Sequence, residues 1–131
     1  MPERLLLIED NPNEAEIVQR WLHRRWPRLC IQWAKTLSSA LCMLATFPAP
    51  QIILLDLTLP DAVETMAIPQ LYHIAGPMGL GVPIIALTGM PLEYIPVPLR
   101  AQFSRYVQKS AESKPLIDIV QELCGERARH A

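Results

Sequence analysis

Residues 52–56 read Ile52-Ile53-Leu54-Leu55-Asp56, four apolar side chains in unbroken succession closed by a carboxylate. A strand with one face in water alternates apolar and polar residues. An unbroken run means that both faces are covered, as at the centre of a parallel sheet. Leu5-Leu6-Leu7-Ile8 and Ile84-Ile85-Ala86-Leu87 have the same character. Cys30 to Ala34, where Ile31 and Trp33 alternate with Gln32, suits an edge strand, and Tyr106-Val107 completes a set of five runs.

Helical patterns separate these runs. In the first, Asn13 is placed as N-cap with Glu16 as its capping-box partner. Ile17, Val18, Trp21 and Leu22 share one face, and Pro27 ends the helix. A second helix is expected around Ser39 to Thr46, turning Leu41, Leu44 and Ala45 inward. A third must begin near Thr65 or later, so that Pro69 falls in its first turn, where no amide donor is needed. The last begins near Ser113, tolerates Pro115 in its first turn and aligns Leu116, Ile119, Val120 and Leu123. Gly125 is placed to terminate it. This alternation predicts a doubly wound α/β domain over residues 1–125, with residues 126–131 as a tail too short for an effector domain.

The chain has 131 residues, half of them hydrophobic and 19% charged, which excludes a disordered or fibrous protein and fits one domain. The formal net charge of −1 gives no reason to expect nucleic-acid binding, and Arg24-Arg25 and Arg127/Arg129 read as a solvated face and tail. Three widely spaced cysteines, Cys30, Cys42 and Cys124, read as reduced, buried thiols of a cytoplasmic protein. No run of ~18 apolar residues is present to cross a membrane. The first apolar run meets Glu9 and Asp10 after four residues, too soon for a signal peptide.

The compositional oddity is 13 prolines against 5 glycines. Pro91, Pro96 and Pro98 lie where a helix is expected between the fourth and fifth strands. Interior prolines at ~3 kcal/mol each outweigh the propensity of so short a helix. The expectation is an irregular segment through Pro98, with at most one or two helical turns from Leu99 to Ser104.

In an open parallel sheet, ligands bind beyond the carboxyl ends of the strands. The first run ends in Glu9-Asp10, the third in Asp56 and the fourth in Thr88, and Lys109 lies just past the fifth. Acidic residues at strand ends often only cap the following helix. Here they recur in order with a hydroxyl and an ammonium. Clustered carboxylates repel one another unless a cation neutralises them, and a hard divalent ion such as Mg²⁺ suits oxygen ligands. With the metal in place, one carboxylate can attack phosphorus while the lysine and the hydroxyl take the transferred oxygens.

The stretches Leu5 to Asn11, Ile53 to Asp61, Pro83 to Gly89 and Tyr106 to Lys109 resemble the receiver domain of bacterial two-component response regulators, over about residues 3–124. The resemblance implies a flavodoxin-like domain of five parallel strands in order 2-1-3-4-5, with helices on both faces. It implies Asp56 as phosphoacceptor. Glu9, Asp10, Asp56 and the backbone carbonyl of Thr58 would hold Mg²⁺, directly or through water. Lys109 would pair with the phosphoryl group, and Thr88 would move to bind it while Tyr106 rotates inward as the switch. The implied donor is a sensor histidine kinase or a histidine phosphotransfer protein. Output would pass to a downstream protein, by contact or by onward phosphotransfer, and the domain would signal rather than act as an enzyme.

Three departures stand out. Glu64 and Ser110 replace a usual glycine and a usual cis proline, and the proline-rich segment stands where the family displays its fourth helix. That last departure favours an alternative, a receiver-fold interaction module that works without phosphorylation. The complete acidic, threonine and lysine set opposes it. A haloacid-dehalogenase-like phosphatase is disfavoured because Thr58 stands where its general acid belongs. Met90 has the bulk to shield a phosphoryl group. Of Trp21, Trp26 and Trp33, core packing accounts for one or two, with a docking or homodimer patch as the alternative for the rest. His23, His73 and His130 have no ligand-like spacing, and His73 is expected at the surface.

Overall fold

The three continuous apolar runs form central strands because each can bury side chains on both sides at once, and the other two runs flank them as edges. A computed structural model describes residues 3–56, 71–73, 75, 81–89, 93 and 103–130, with side chains through residue 124. The strands are β1 (Arg4–Ile8), β2 (Cys30–Ala34), β3 (Ile52–Asp56), β4 (Ile84–Thr88) and β5 (Arg105–Gln108). All neighbours are parallel, in the order β2-β1-β3-β4-β5. The fold class and strand order expected from the sequence are those observed.

Successive residues of each strand point to opposite faces. Leu6, Ile8, Ile53, Leu55, Ile84 and Ala86 pack with Leu37 and Ala40 of helix α2 (Leu37–Thr46) and with the helical residues Leu71 and Ala75. Leu5, Leu7, Ile52, Leu54, Ile85 and Leu87 pack on the other face. Their partners are helix α1 (Pro12–Arg25), through Ala15, Val18 and Leu22, and helix α3 (Lys114–His130), through Leu116, Val120 and Leu123. No helix among the described residues is long and apolar enough to cross a membrane.

Several local expectations are corrected. The cap of α1 is Asn11, not Asn13. The Asn11 side chain accepts from the Asn13 and Glu14 amides at 2.9 and 3.3 Å, and Pro12 takes the first helical position, where its missing N–H costs nothing. Glu16 instead pairs with Arg20 at 2.6 Å on the exposed face. Replacing Asn11 with alanine is expected to cost about 1 kcal/mol, a fall of roughly 3–5 °C in melting temperature. Asn13→Ala should lower it by much less, and equal losses in a thermal melt would contradict the assignment.

Helix α2 starts two residues before Ser39, at Leu37, because Thr36 caps it through the Ser39 amide at 3.0 Å. Leu41 and Leu44 pack inward as expected, beside the fully buried Leu37 and Ala40, whereas Ala45 falls on the exposed side of that stripe. Helix α3 runs through Gly125 to His130. The strong helix formers after Gly125 outweigh its cost of ~1 kcal/mol.

The cysteines are not buried: Cys30 and Cys42 are exposed and Cys124 is intermediate. Cys30 opens an edge strand and Cys42 lies on the outer face of α2, so neither position has a layer above it. Trp26 is buried, Trp21 and Trp33 are half-buried, and His73 is exposed. Phe103 and Ser104 are not helical; the Ser104 amide donates to the Ile84 carbonyl at 2.8 Å and leads the chain into β5. The start of the third helix with Pro69, the segment carrying Pro91, Pro96 and Pro98, and Glu64, Thr58 and Met90 lie outside the described residues.

Candidate functional site

Three strands deliver their last residues to one edge of the sheet. Glu9 follows β1, Asp56 ends β3 and Thr88 ends β4, and their relative exposures are 0%, 0% and 2%. The Lys109 amide donates to the Thr88 carbonyl at 2.7 Å, continuing the β4–β5 ladder by one residue. That bond points the Lys109 side chain at the acidic edge. Its Nζ lies 3.1 Å from Asp56 Oδ1, 3.4 Å from Glu9 Oε2 and 2.9 Å from Glu14 Oε2.

Glu9 is anchored through its backbone and its side chain. Its amide donates to the Ala34 carbonyl at 3.0 Å, and its carbonyl accepts from Trp33 Nε1 at 2.7 Å. Its Oε1 accepts from the Asn11 amide at 3.2 Å. One edge-strand tryptophan thereby positions the acidic turn, and Lys35 Nζ covers its ring 5.4 Å from the centroid.

Burial pushes the Glu9 carboxyl up to about 8, helped by a hydrogen bond to Asp56 and by the charge of Asp56; the Asn11 amide and Lys109 pull it down. Burial works against the Lys109 charge, yet its bonds to Glu14 and Asp56 and the nearby negative charges raise it to about 12. The ammonium stays charged at any physiological pH, while burial, and after it the hydrogen bond and charge of Asp56, favour the protonated form of Glu9.

Carboxylate oxygens of Glu9, Glu14 and Asp56 all lie within 4.8 Å of one another. Two of these residues are fully buried, so the negative charge has little water to screen it. A hard divalent ion suits the buried Glu9 and Asp56 of this cluster, while the half-exposed Glu14 is held by Lys109. Asp10, by contrast, is exposed and is not among the clustered carboxylates. Tyr106 is half-buried, stacked edge-on against Phe103 at 5.7 Å between centroids. All peptide bonds among the described residues are trans, Lys109–Ser110 included.

The sequence reading missed Glu14. A glutamate in a first helical turn reads as a partner for the helix dipole, and only its position four residues past Asp10 hints at the site. Ile17 was expected inside but is 44% exposed. It lines a cavity of about 130 Å³ beside Lys109, with Trp21, Leu87, Val107 and Leu116.

No family model and no curated protein matches the sequence. Solved structures do. A CheY-like response regulator receiver domain from Methylobacillus flagellatus superposes with a TM-score of 0.76 at 22% identity, over 94% of this chain and 99% of that one. One from Methanospirillum hungatei JF-1 gives 0.77 at 16% identity, over the whole of both chains. The fold is that of a response-regulator receiver domain. The Thermotoga maritima response regulator TrrA, solved in complex with Mg(2+)-BeF, shares the receiver fold with a TM-score of 0.76 at 22% identity, over 92% of this chain and 98% of that one. In this receiver fold, the carboxyl edge of the sheet is where Glu9, Asp56, Thr88 and Lys109 stand together.

Proposed function

We propose that this chain is a phosphorelay receiver, accepting a phosphoryl group on Asp56 in a Mg²⁺-dependent reaction. The observation that carries the reading is the Lys109 ammonium 3.1 Å from a buried Asp56, with Glu9 and Thr88 on the flanking strand ends. In the reaction, a carboxylate oxygen of Asp56 attacks phosphorus. A new P–O bond forms as the bond to the leaving group breaks, and the leaving group departs with the electron pair. Lys109 takes part of the negative charge of the transferred oxygens, and the Thr88 hydroxyl moves to donate a hydrogen bond to them.

Glu9, Asp10, Asp56 and the Thr58 carbonyl are the proposed holders of Mg²⁺, directly or through water. The bound ion supplies charge neutralisation between the attacking carboxylate and the incoming phosphoryl oxygens. Thr88 and Tyr106 are the proposed switch, and the hydroxyl of Tyr106 is already buried. The donor is a sensor histidine kinase or a histidine phosphotransfer protein in the cytoplasm, and output passes to a downstream protein. The domain acts on its own phosphorylation state rather than on a separate substrate.

Acetyl phosphate with Mg²⁺ should add one phosphoryl group to the wild-type chain by intact mass, and none to Asp56→Asn. Absence of any mass gain, together with no Mg²⁺-dependent change in tryptophan fluorescence, would overturn the proposal.

A further inference from the structure

The shortest contact of the Lys109 ammonium is with Glu14, at 2.9 Å, rather than with Asp56, at 3.1 Å. Glu14 belongs to the first turn of α1, 95 residues away in the chain, and is 45% exposed, whereas Asp56 is wholly buried. Its carboxylate therefore reaches solvent while it holds the same ammonium that faces Asp56. Two consequences have the same sign. A phosphoryl group arriving at Asp56 competes with Glu14 for the ammonium, and an anionic donor approaching Asp56 meets a further carboxylate beside it.

We propose that Glu14 is a positioning and selectivity residue, which restrains Lys109 and slows phosphoryl transfer to Asp56 from free anionic donors. The inference rests on Asp56 being the phosphoacceptor. Glu14 touches no reacting atom; it acts through the lysine and through its charge.

Glu14→Gln keeps the size and an oxygen acceptor for Lys109 while removing the charge. Glu16→Gln makes the same change of net charge on the same helix, where Glu16 pairs only with Arg20 among the described contacts and does not meet Lys109. Labelling by acetyl phosphate at saturating Mg²⁺, followed by intact mass, should be roughly 3- to 20-fold faster in Glu14→Gln than in the wild type, a range set by one charge at contact distance in a partly screened site. The gain should shrink as salt is raised and should be smaller with phosphoramidate, a less charged donor. A merely structural role would not produce that dependence on salt and donor charge.

Labelling of Glu14→Gln at or below the wild-type rate, or an equal gain in Glu16→Gln, overturns this inference alone. Absence of labelling in all three proteins overturns the phosphoacceptor reading itself.

Discussion

Lys109→Met is expected to destabilise the metal-free protein by about 3 kcal/mol, roughly a hundredfold in the ratio of folded to unfolded chains. The methionine fills the space of the lysine stem but carries no charge. Asp56, with no exposed surface, loses the ammonium 3.1 Å away, and the Glu9 and Glu14 carboxylates lose their shared partner. Removing one side of a buried ion pair leaves a buried charge without its countercharge, which is why the effect exceeds the usual worth of a salt bridge. Lys109 keeps a quarter of its side-chain surface exposed, which places the effect at the lower end of the range for buried pairs. Urea denaturation near neutral pH without divalent ions measures it. Added Mg²⁺ should restore part of the loss, because it returns positive charge to the same carboxylates. A loss below about 1 kcal/mol, unaffected by Mg²⁺, would show that the acidic edge is satisfied without the ammonium.

Between pH 6 and 8, the affinity for Mg²⁺ is expected to rise up to tenfold per unit, roughly a hundredfold in all, and then to level off. The cause is Glu9, whose carboxyl is pushed up to about 8 by burial, by its hydrogen bond to Asp56 and by the charge of Asp56. In this range the metal-free protein holds a proton that the unfolded chain, with an ordinary glutamate, has already lost. Its contribution to stability is complete at acid pH and is lost as the pH rises through about 8. A divalent ion must displace that proton, so metal binding gains what the free protein loses. Lys109, raised to about 12, stays charged throughout and adds nothing to the slope. Calorimetric titration in buffers of different ionisation heat counts the released proton, and Glu9→Gln should flatten the profile. A pH-independent affinity in the wild type would remove Glu9 from the metal site.

The parts legible in the sequence are those governed by neighbours along the chain. The continuous apolar runs around Leu54 and Ile85 can be satisfied only where layers cover both faces, so the parallel sheet follows from them. Its topology then places strand-terminal side chains at one edge, and Glu9, Asp56 and Thr88 were found by that rule. Helix ends were less legible. Asn11 and Asn13 have the same chemistry, and the choice between them rests on where Pro12 enters the helix. Gly125 carries a terminating signal that its helix-forming neighbours override.

What tertiary structure alone decided is how the charges around Lys109 are shared. No local pattern brings Glu14 to it from 95 residues away, leaves Asp10 in solvent, or turns the Trp33 indole onto the Glu9 carbonyl. These contacts depend on the angle at which α1 leaves β1 and on the path by which β5 ends beside it. Coulomb energy falls with distance and depends on burial. The sequence by itself determined that Glu9, Asp56, Thr88 and Lys109 share the edge of the sheet, and the packing of α1 against the β5–α3 connection decided that Glu14, and not Asp10, joins them at the ammonium.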